Sequence, residues 1–167
     1  MKLSRIKRSL CIKTINCLFC GTHFFRVKAF LLKCGGITCG VNTKIVGPLY
    51  VGNVAHLSLG SNVWIGTNFS VYGNGKVIID DNVDVAPEVS ILTGSHEISH
   101  EKGHRAGEGI QYRVCIKEGC WVGARATIMG NTEVGKGSVI GAAALVNTSV
   151  APNTLCAGVP AKALRTI

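Results

Sequence analysis

Aromatic residues make up only 6% of this 167-residue chain and charged residues only 16%. A packed helical domain usually draws on more rings and more surface charge, so that class fits poorly. Long apolar runs are missing too. None reaches the roughly 18–20 residues that a membrane-crossing helix requires. Leu10–Cys20 is interrupted by Lys13 and Asn16, and no small-residue cleavage site follows it, which argues against a secretory signal. Acidic residues are absent from residues 1–33, which carry eight bases: Lys2, Arg5, Lys7, Arg8, Lys13, Arg26, Lys28 and Lys33. The other ten bases face all nine acids, so the overall charge of +9 belongs to that first segment. A near-neutral body of this kind argues against a nucleic-acid-binding protein. Finally, Cys17-Leu-Phe-Cys20 has no second pair at ligand spacing, so a structural zinc site lacks half its ligands. The eight cysteines read as reduced structural residues of a cytoplasmic protein.

What the chain does have is small aliphatics, 21 glycines and a period. Every sixth residue from Ile116 is branched and apolar: Ile116, Val122, Ile128, Val134, Ile140, Val146. Glycine follows at 123, 135 and 141, and small side chains recur four residues after each aliphatic, at Cys120, Ala126, Thr132, Ser138 and Ala144. Leu59, Ile65 and Val71 repeat the pattern, as do Ile79, Val85 and Ile91. The step from 71 to 79 holds two extra residues, which places a bulge around Tyr72-Gly73-Asn74-Gly75. A longer break, about 94–112, reads as an extruded loop.

A six-residue period matches neither the helical 3.6 nor simple strand alternation. It fits a triangular coil of about 18 residues with a short strand on each face, an all-β solenoid whose stacked coils bury one aliphatic per face. Gly, Asn and Asp suit the corners. Residues 34–167 form this body. Residues 1–33 lack the repeat and read as two short basic amphipathic helices around Gly21-Thr22. They serve as a cap over the open end of the coil, as a contact for an anionic membrane surface, or as both.

Chemistry belongs where the repeat breaks. The segment from Thr93 to Gly109 holds three of the five histidines: His96, His100 and His104. An imidazole beside an ordered face is a candidate general base, since it exchanges its proton near neutral pH. The spacing i, i+4, i+8 would instead suit a metal on a helix, but Gly94, Gly103, Gly107 and Gly109 oppose helix formation. His100 and His104 are either solvated loop residues or acceptor contacts.

Four motifs carry a resemblance: Asp81-Asn-Val-Asp-Val-Ala-Pro87, Thr93-Gly-Ser-His96, Gly119-Cys-Trp-Val-Gly123 and Ala157-Gly-Val-Pro-Ala-Lys162. From about Leu57 onward the chain resembles the hexapeptide-repeat acetyltransferases, and within them the maltose, galactoside, nodulation-factor and colanic-acid group. The resemblance implies a left-handed parallel β-helix, a homotrimer with sites between adjacent coils, and acetyl-CoA as co-substrate, with no metal. It implies transfer to a saccharide hydroxyl, on a cell-surface polysaccharide or its precursor, with His96 as catalytic base. It places Asn68 and Asn74 among the acceptor contacts, while His100 and His104 are candidates for the acceptor only by their place in the loop. Trp121, Gly123, Gly141, Ala142, Asn147, Lys162 and Arg165 fall along the CoA path, the last two near its phosphates. A covalent route through Cys115 has no paired base in the sequence. Asn147 stands where the family often has Thr, and Arg113 where it often has Pro. The short basic segment replaces the longer N-terminal acceptor-binding region of maltose-type enzymes. On the same fold, serine, antibiotic or amino-sugar acetylation, a metal-dependent γ-type carbonic anhydrase and a non-catalytic trimeric scaffold are alternatives.

Overall fold

The computed structural model describes residues 2–101 and 103–167; Met1 of the basic segment and Lys102 of the loop lie outside the described residues. Helices α1 (Lys2–Leu18) and α2 (Phe25–Cys34) precede a left-handed parallel β-helix. Its first face stacks Thr38–Cys39, His56–Leu59, Lys76–Ile79, Arg113–Ile116 and Thr132–Val134. The second stacks Lys44–Ile45, Trp64–Ile65, Asp84–Val85, Trp121–Val122, Val139–Ile140 and Thr154–Ala157. Leu49–Val51, Phe69–Tyr72, Ser90–Leu92, Thr127–Ile128 and Leu145–Val146 form the third. The last strand, Lys162–Thr166, turns back antiparallel on Thr154–Ala157.

All the six-spaced aliphatics point inward and are buried, as are Cys120, Ala126, Thr132, Ser138 and Ala144. Burying each Val or Ile contributes roughly 1.5–3 kcal/mol, and the stacked rows add up along the coil axis. The row also starts one coil earlier than the sequence pattern showed, at Cys39, Ile45 and Val51. The coils are not uniformly 18 residues long. The register advances 20 residues from Thr38 to Ser58 and 20 more to Ile78, then 37 to Cys115 and 18 to Glu133. Each early coil holds an extra pair of corner residues, at Gly52-Asn53 as well as at Gly73-Asn74.

Corner residues divide the work between them. Asn42, Asn62 and Asn82 take the left-handed backbone (φ 55–57°) and stack, each amide donating to the next carbonyl oxygen at 3.1 Å. Gly60 answers to space instead: a Cβ there would lie 2.3 Å from Asp81 Oδ1 and 2.7 Å from the Asp80 backbone.

The helices cover the first coil, whose outer edge would otherwise present unpaired backbone groups. Asn16 acts as a surrogate strand: its side chain donates to the Leu49 carbonyl (2.8 Å) and accepts from the Leu49 amide (3.0 Å). Arg8 donates to the carbonyls of Gly35 (2.9 Å) and Ala55. Ile12, Ile15 and Leu32 extend the core. Lys28 is fully buried, donating its ammonium to the carbonyls of Gly21 (2.6 Å) and Val46 (3.1 Å) from 4.8 Å above the Phe25 ring. Among the described residues, no helix is long and apolar enough to cross a membrane.

Burial pushes the Lys28 pKa below the usual lysine value of 10.5. The unfolded chain therefore holds that proton more tightly than the folded one. Stability from this group rises as pH climbs from the lowered value to 10.5, and the charged form is penalised below that window. Urea titrations across this range should show wild type gaining stability relative to Lys28→Met. A constant difference between the two proteins would contradict the assignment.

Candidate active site

Three insertions share the corner where the third face passes to the first. They are Gly52-Asn53, then Gly73-Asn74-Gly75, then the excursion that begins at Gly94. That excursion is folded rather than a loose loop. Gly94–Ile98 pairs antiparallel with Ala106–Gln111, with a register shift between His96 and Ile98. With His96 on the first strand and His100 and His104 beyond it, the i, i+4, i+8 spacing does not converge as it would on a helix. His100 and His104 lie near the far turn of the hairpin, exposed and outside the cleft that His96 lines. Among the described residues, no three metal-ligating side chains come together.

His96 stands near the hairpin base. Its Nδ1 lies 2.8 Å from the Gly107 carbonyl oxygen on the opposite strand. A carbonyl only accepts, so Nδ1 carries the proton, and in the neutral ring the lone pair sits on Nε2. The ring borders a cleft of about 360 Å³ lined also by Gly73, Asn74, Ser95, Ile110 and Gln111. Gly107, whose contribution is a backbone oxygen, and Gln111 were not among the residues marked from sequence. Neither has a signature in the hexapeptide period, although their places opposite His96 follow once the hairpin is recognised.

Asn74 joins His96 in this cleft, whereas Asn68 does not. Asn68 occupies the corner between the second and third faces, with φ 57° and its backbone N–H donating to the Pro48 carbonyl (2.7 Å). Gly123, Gly141 and Ala142 occupy that same corner in later coils. There Gly123 approaches the next coil so closely that a Cβ would lie 2.7 Å from the Ala142 nitrogen. Trp121 is 56% exposed on the second face and, with Trp64, flanks Asp84 in one shallow cleft. Lys162 and Arg165 are exposed on the closing strand, opposite Ala157 and Leu155. Asn147 is exposed just after Leu145–Val146, on the His96 corner. A single chain thus places the His96 cleft on one corner and Gly123, Gly141 and Ala142 on the next. One face separates them, roughly 15–20 Å at about 3.3 Å per residue. Cys115 is buried, accepts from Arg113 Nε at 3.0 Å and does not line the cleft, which leaves the covalent route without access.

Comparison with known proteins agrees with this architecture. Residues 116–148 match the family described as bacterial transferase hexapeptide (six repeats). The galactoside O-acetyltransferase of Escherichia coli is 31% identical over 130 residues, covering 78% of this chain and 64% of that protein. The chain therefore spans just under two thirds of that relative's length. A hexapeptide-repeat-containing acetyltransferase from Vibrio cholerae superposes with a TM-score of 0.84 at 23% identity, covering 99% of this chain and 91% of the other. A galactoside acetyltransferase in complex with coenzyme A gives 0.82 at 24%, covering 99% and 82%. At these identities the two structures establish the fold. By its repeat, its coil and its relatives, the chain belongs to the hexapeptide-repeat transferase family.

Thr93 ties the hairpin base to the bulge below it. Its buried hydroxyl donates to the Tyr72 carbonyl (2.8 Å) and accepts from the Gly75 amide (3.0 Å). Thr93→Val removes both partners at constant volume and should cost about 1–3 kcal/mol in urea unfolding. The Gly75 amide should also exchange faster with solvent. Unchanged stability and exchange in the variant would show that the clamp carries no weight.

Proposed function

We propose that the protein is an acetyl-CoA-dependent O-acetyltransferase acting on a saccharide hydroxyl, with His96 as general base. The observation that carries this reading is the Nδ1 contact to Gly107, which leaves Nε2 unprotonated at the edge of an open cleft. Nε2 takes the hydroxyl proton as the oxygen bonds to the thioester carbonyl carbon. The tetrahedral intermediate then expels the CoA thiolate, which recovers the proton from the imidazolium. Asn74 and Gln111 border the cleft as acceptor contacts, and His100 and His104 reach only an acceptor that extends along the hairpin. The saccharide assignment draws support from the galactoside acetyltransferases among the relatives.

The split between corners favours a site completed by a second copy, and the family resemblance makes that assembly a homotrimer. In it the Gly123, Gly141, Ala142 and Asn68 corner of one subunit faces the His96 corner of the next. Trp121 and the exposed Lys162 and Arg165 then supply an aromatic wall and cationic partners for CoA phosphates. Calorimetry should show saturable acetyl-CoA binding weakened by Lys162→Ala/Arg165→Ala. His96→Ala should lower kcat roughly a hundred- to ten-thousand-fold while binding persists. Mixing His96→Ala subunits with Lys162→Ala/Arg165→Ala subunits should restore activity if sites are shared. A folded protein that fails to bind acetyl-CoA would instead be a scaffold.

The outer face of α1 suits the cytoplasmic surface of an anionic membrane. Leu3 (81% exposed), Ile6 (64%) and Leu10 (64%) share one side of α1, opposite the buried Cys11, Ile12 and Ile15. Exposed Lys7 and Lys13 flank that stripe, in a segment without acids. Wild type should sediment with phosphatidylglycerol-containing vesicles and less with pure phosphatidylcholine, and added salt should release it. Ile6→Glu/Leu10→Glu should abolish the binding. Equal sedimentation by wild type and variant would count against α1 as the contact.

A further inference from the structure

Asn74 and Gln111 line two clefts at once. One is the His96 cleft; the other, of about 540 Å³, runs beneath α1 and is bordered also by Arg5, Arg8, Asn53 and His56. The second cleft exists because the coil-one insertion, Gly52-Asn53, stacks beside Gly73-Asn74 and leaves a recess under the helix. A Cβ on Gly52 would stand 2.9 Å from the Gly73 carbonyl oxygen, so the two insertions are in direct contact.

The charge of this recess is one-sided. Arg5 and Arg8 are one helical turn apart on α1, and His56 opens the first-face strand below them. Among the described residues that line it, none is acidic. Arg8 is held in place by backbone carbonyls, including those of Gly35 and Ala55, so its position is set, while among the described residues its charge meets no carboxylate. Partial burial pushes its pKa below the usual arginine value, the direction desolvation gives a cation. Arg5 and His56 are exposed and carry the donors that a bound group would meet. Arginine forks bind carboxylates and phosphates through charge-assisted hydrogen bonds, and an imidazole N–H adds a further donor.

We propose that this recess is the subsite for an anionic group of the acceptor, so that the hydroxyl presented to His96 belongs to an acidic saccharide, either a uronic acid or a sugar phosphate. The proposal rests on the acetyl-transfer reading for its hydroxyl and on the recess for its charge. An acceptor seated across Asn74 and Gln111 places its anion under α1 and its hydroxyl at Nε2, with the neutral amide side chains between. Arg5 and His56 then determine specificity without touching the transferred acetyl group.

The test compares CoA release with three acceptors that share ring and hydroxyl layout: a methyl hexoside, the matching hexuronide and the matching hexose phosphate. One charged acceptor should exceed the neutral one in kcat/KM by roughly ten- to a hundred-fold, and which one wins identifies the anion as carboxylate or phosphate. Arg5→Gln/His56→Gln should pull that ratio toward one, while Arg5→Lys keeps most of it. A neutral acceptor matching both charged ones in wild type would overturn the anionic subsite and leave acetyl transfer standing. If no acceptor turns over, calorimetric titration with glucuronate and inorganic phosphate decides the matter. Saturable binding lost in Arg5→Gln/His56→Gln supports the subsite while the transferase reading fails. Identical titrations of wild type and variant overturn the subsite.

Discussion

Every coil of this chain must present its backbone amides and carbonyls in register with the coil on either side. That ladder is the constraint on which the rest depends, because the aliphatic rows stack only while the register holds. Any residue added to one coil must leave at a corner or be matched by its neighbour. Asparagine takes positive φ more readily than most residues, and at one corner Asn42, Asn62 and Asn82 add a ladder of side-chain hydrogen bonds to that tolerance. Glycines such as Gly60 and Gly123 are required where the next coil approaches too closely for a Cβ.

The same constraint explains where chemistry can be built. Insertions accumulate at one corner, from Gly52-Asn53 through Gly73-Asn74 to the hairpin, and together they form the walls of the two linked clefts. The uninterrupted corners remain regular rows of backbone. A regular row suits an extended cofactor arm and offers no proton-transfer group. A corner with insertions can hold a histidine and an irregular acceptor, but presents no long groove. Division of labour between corners would follow from the solenoid itself, and in the proposed homotrimer a second copy brings the two kinds of corner together.

Much of this was legible from the chain because the core is written as a period: Ile116, Val122, Ile128 and their successors are all buried as their spacing demands. The bulge near Gly73 could be read because it shifts the aliphatic phase. Its twin at Gly52 escaped because Cys39, Ile45 and Val51 were too few, and Cys39 too atypical, to establish the phase before it. The hairpin was hidden by glycine-rich composition, and glycine permits a strand as readily as a loop. What orients His96 was unreadable in principle, since the partner is the backbone oxygen of Gly107 and any residue supplies one. The basic recess was equally out of reach. It depends on where a non-periodic helix lies across the coil, a long-range contact that local spacing does not encode.

The N-terminal segment shows how one stretch can meet several demands by facing different ways. Closing the open edge of the coil takes donors, and Arg8, Asn16 and Lys28 deliver them to carbonyls rather than to acids. Capping by cations is electrostatically incomplete, because a carbonyl dipole satisfies a hydrogen bond without neutralising a charge. No acid occurs in residues 1–33, so the segment's positive charge has no internal counter-charge. On α1 that surplus falls on two fronts: Lys7 and Lys13 flank the exposed apolar stripe, and Arg5 and Arg8 border the recess beside the His96 cleft. An anionic surface on one side and an anionic acceptor on the other would each supply the missing charge. If both hold, docking and substrate capture would draw on one helix, and the acceptor's route into the cleft would begin beside the surface to which the helix binds.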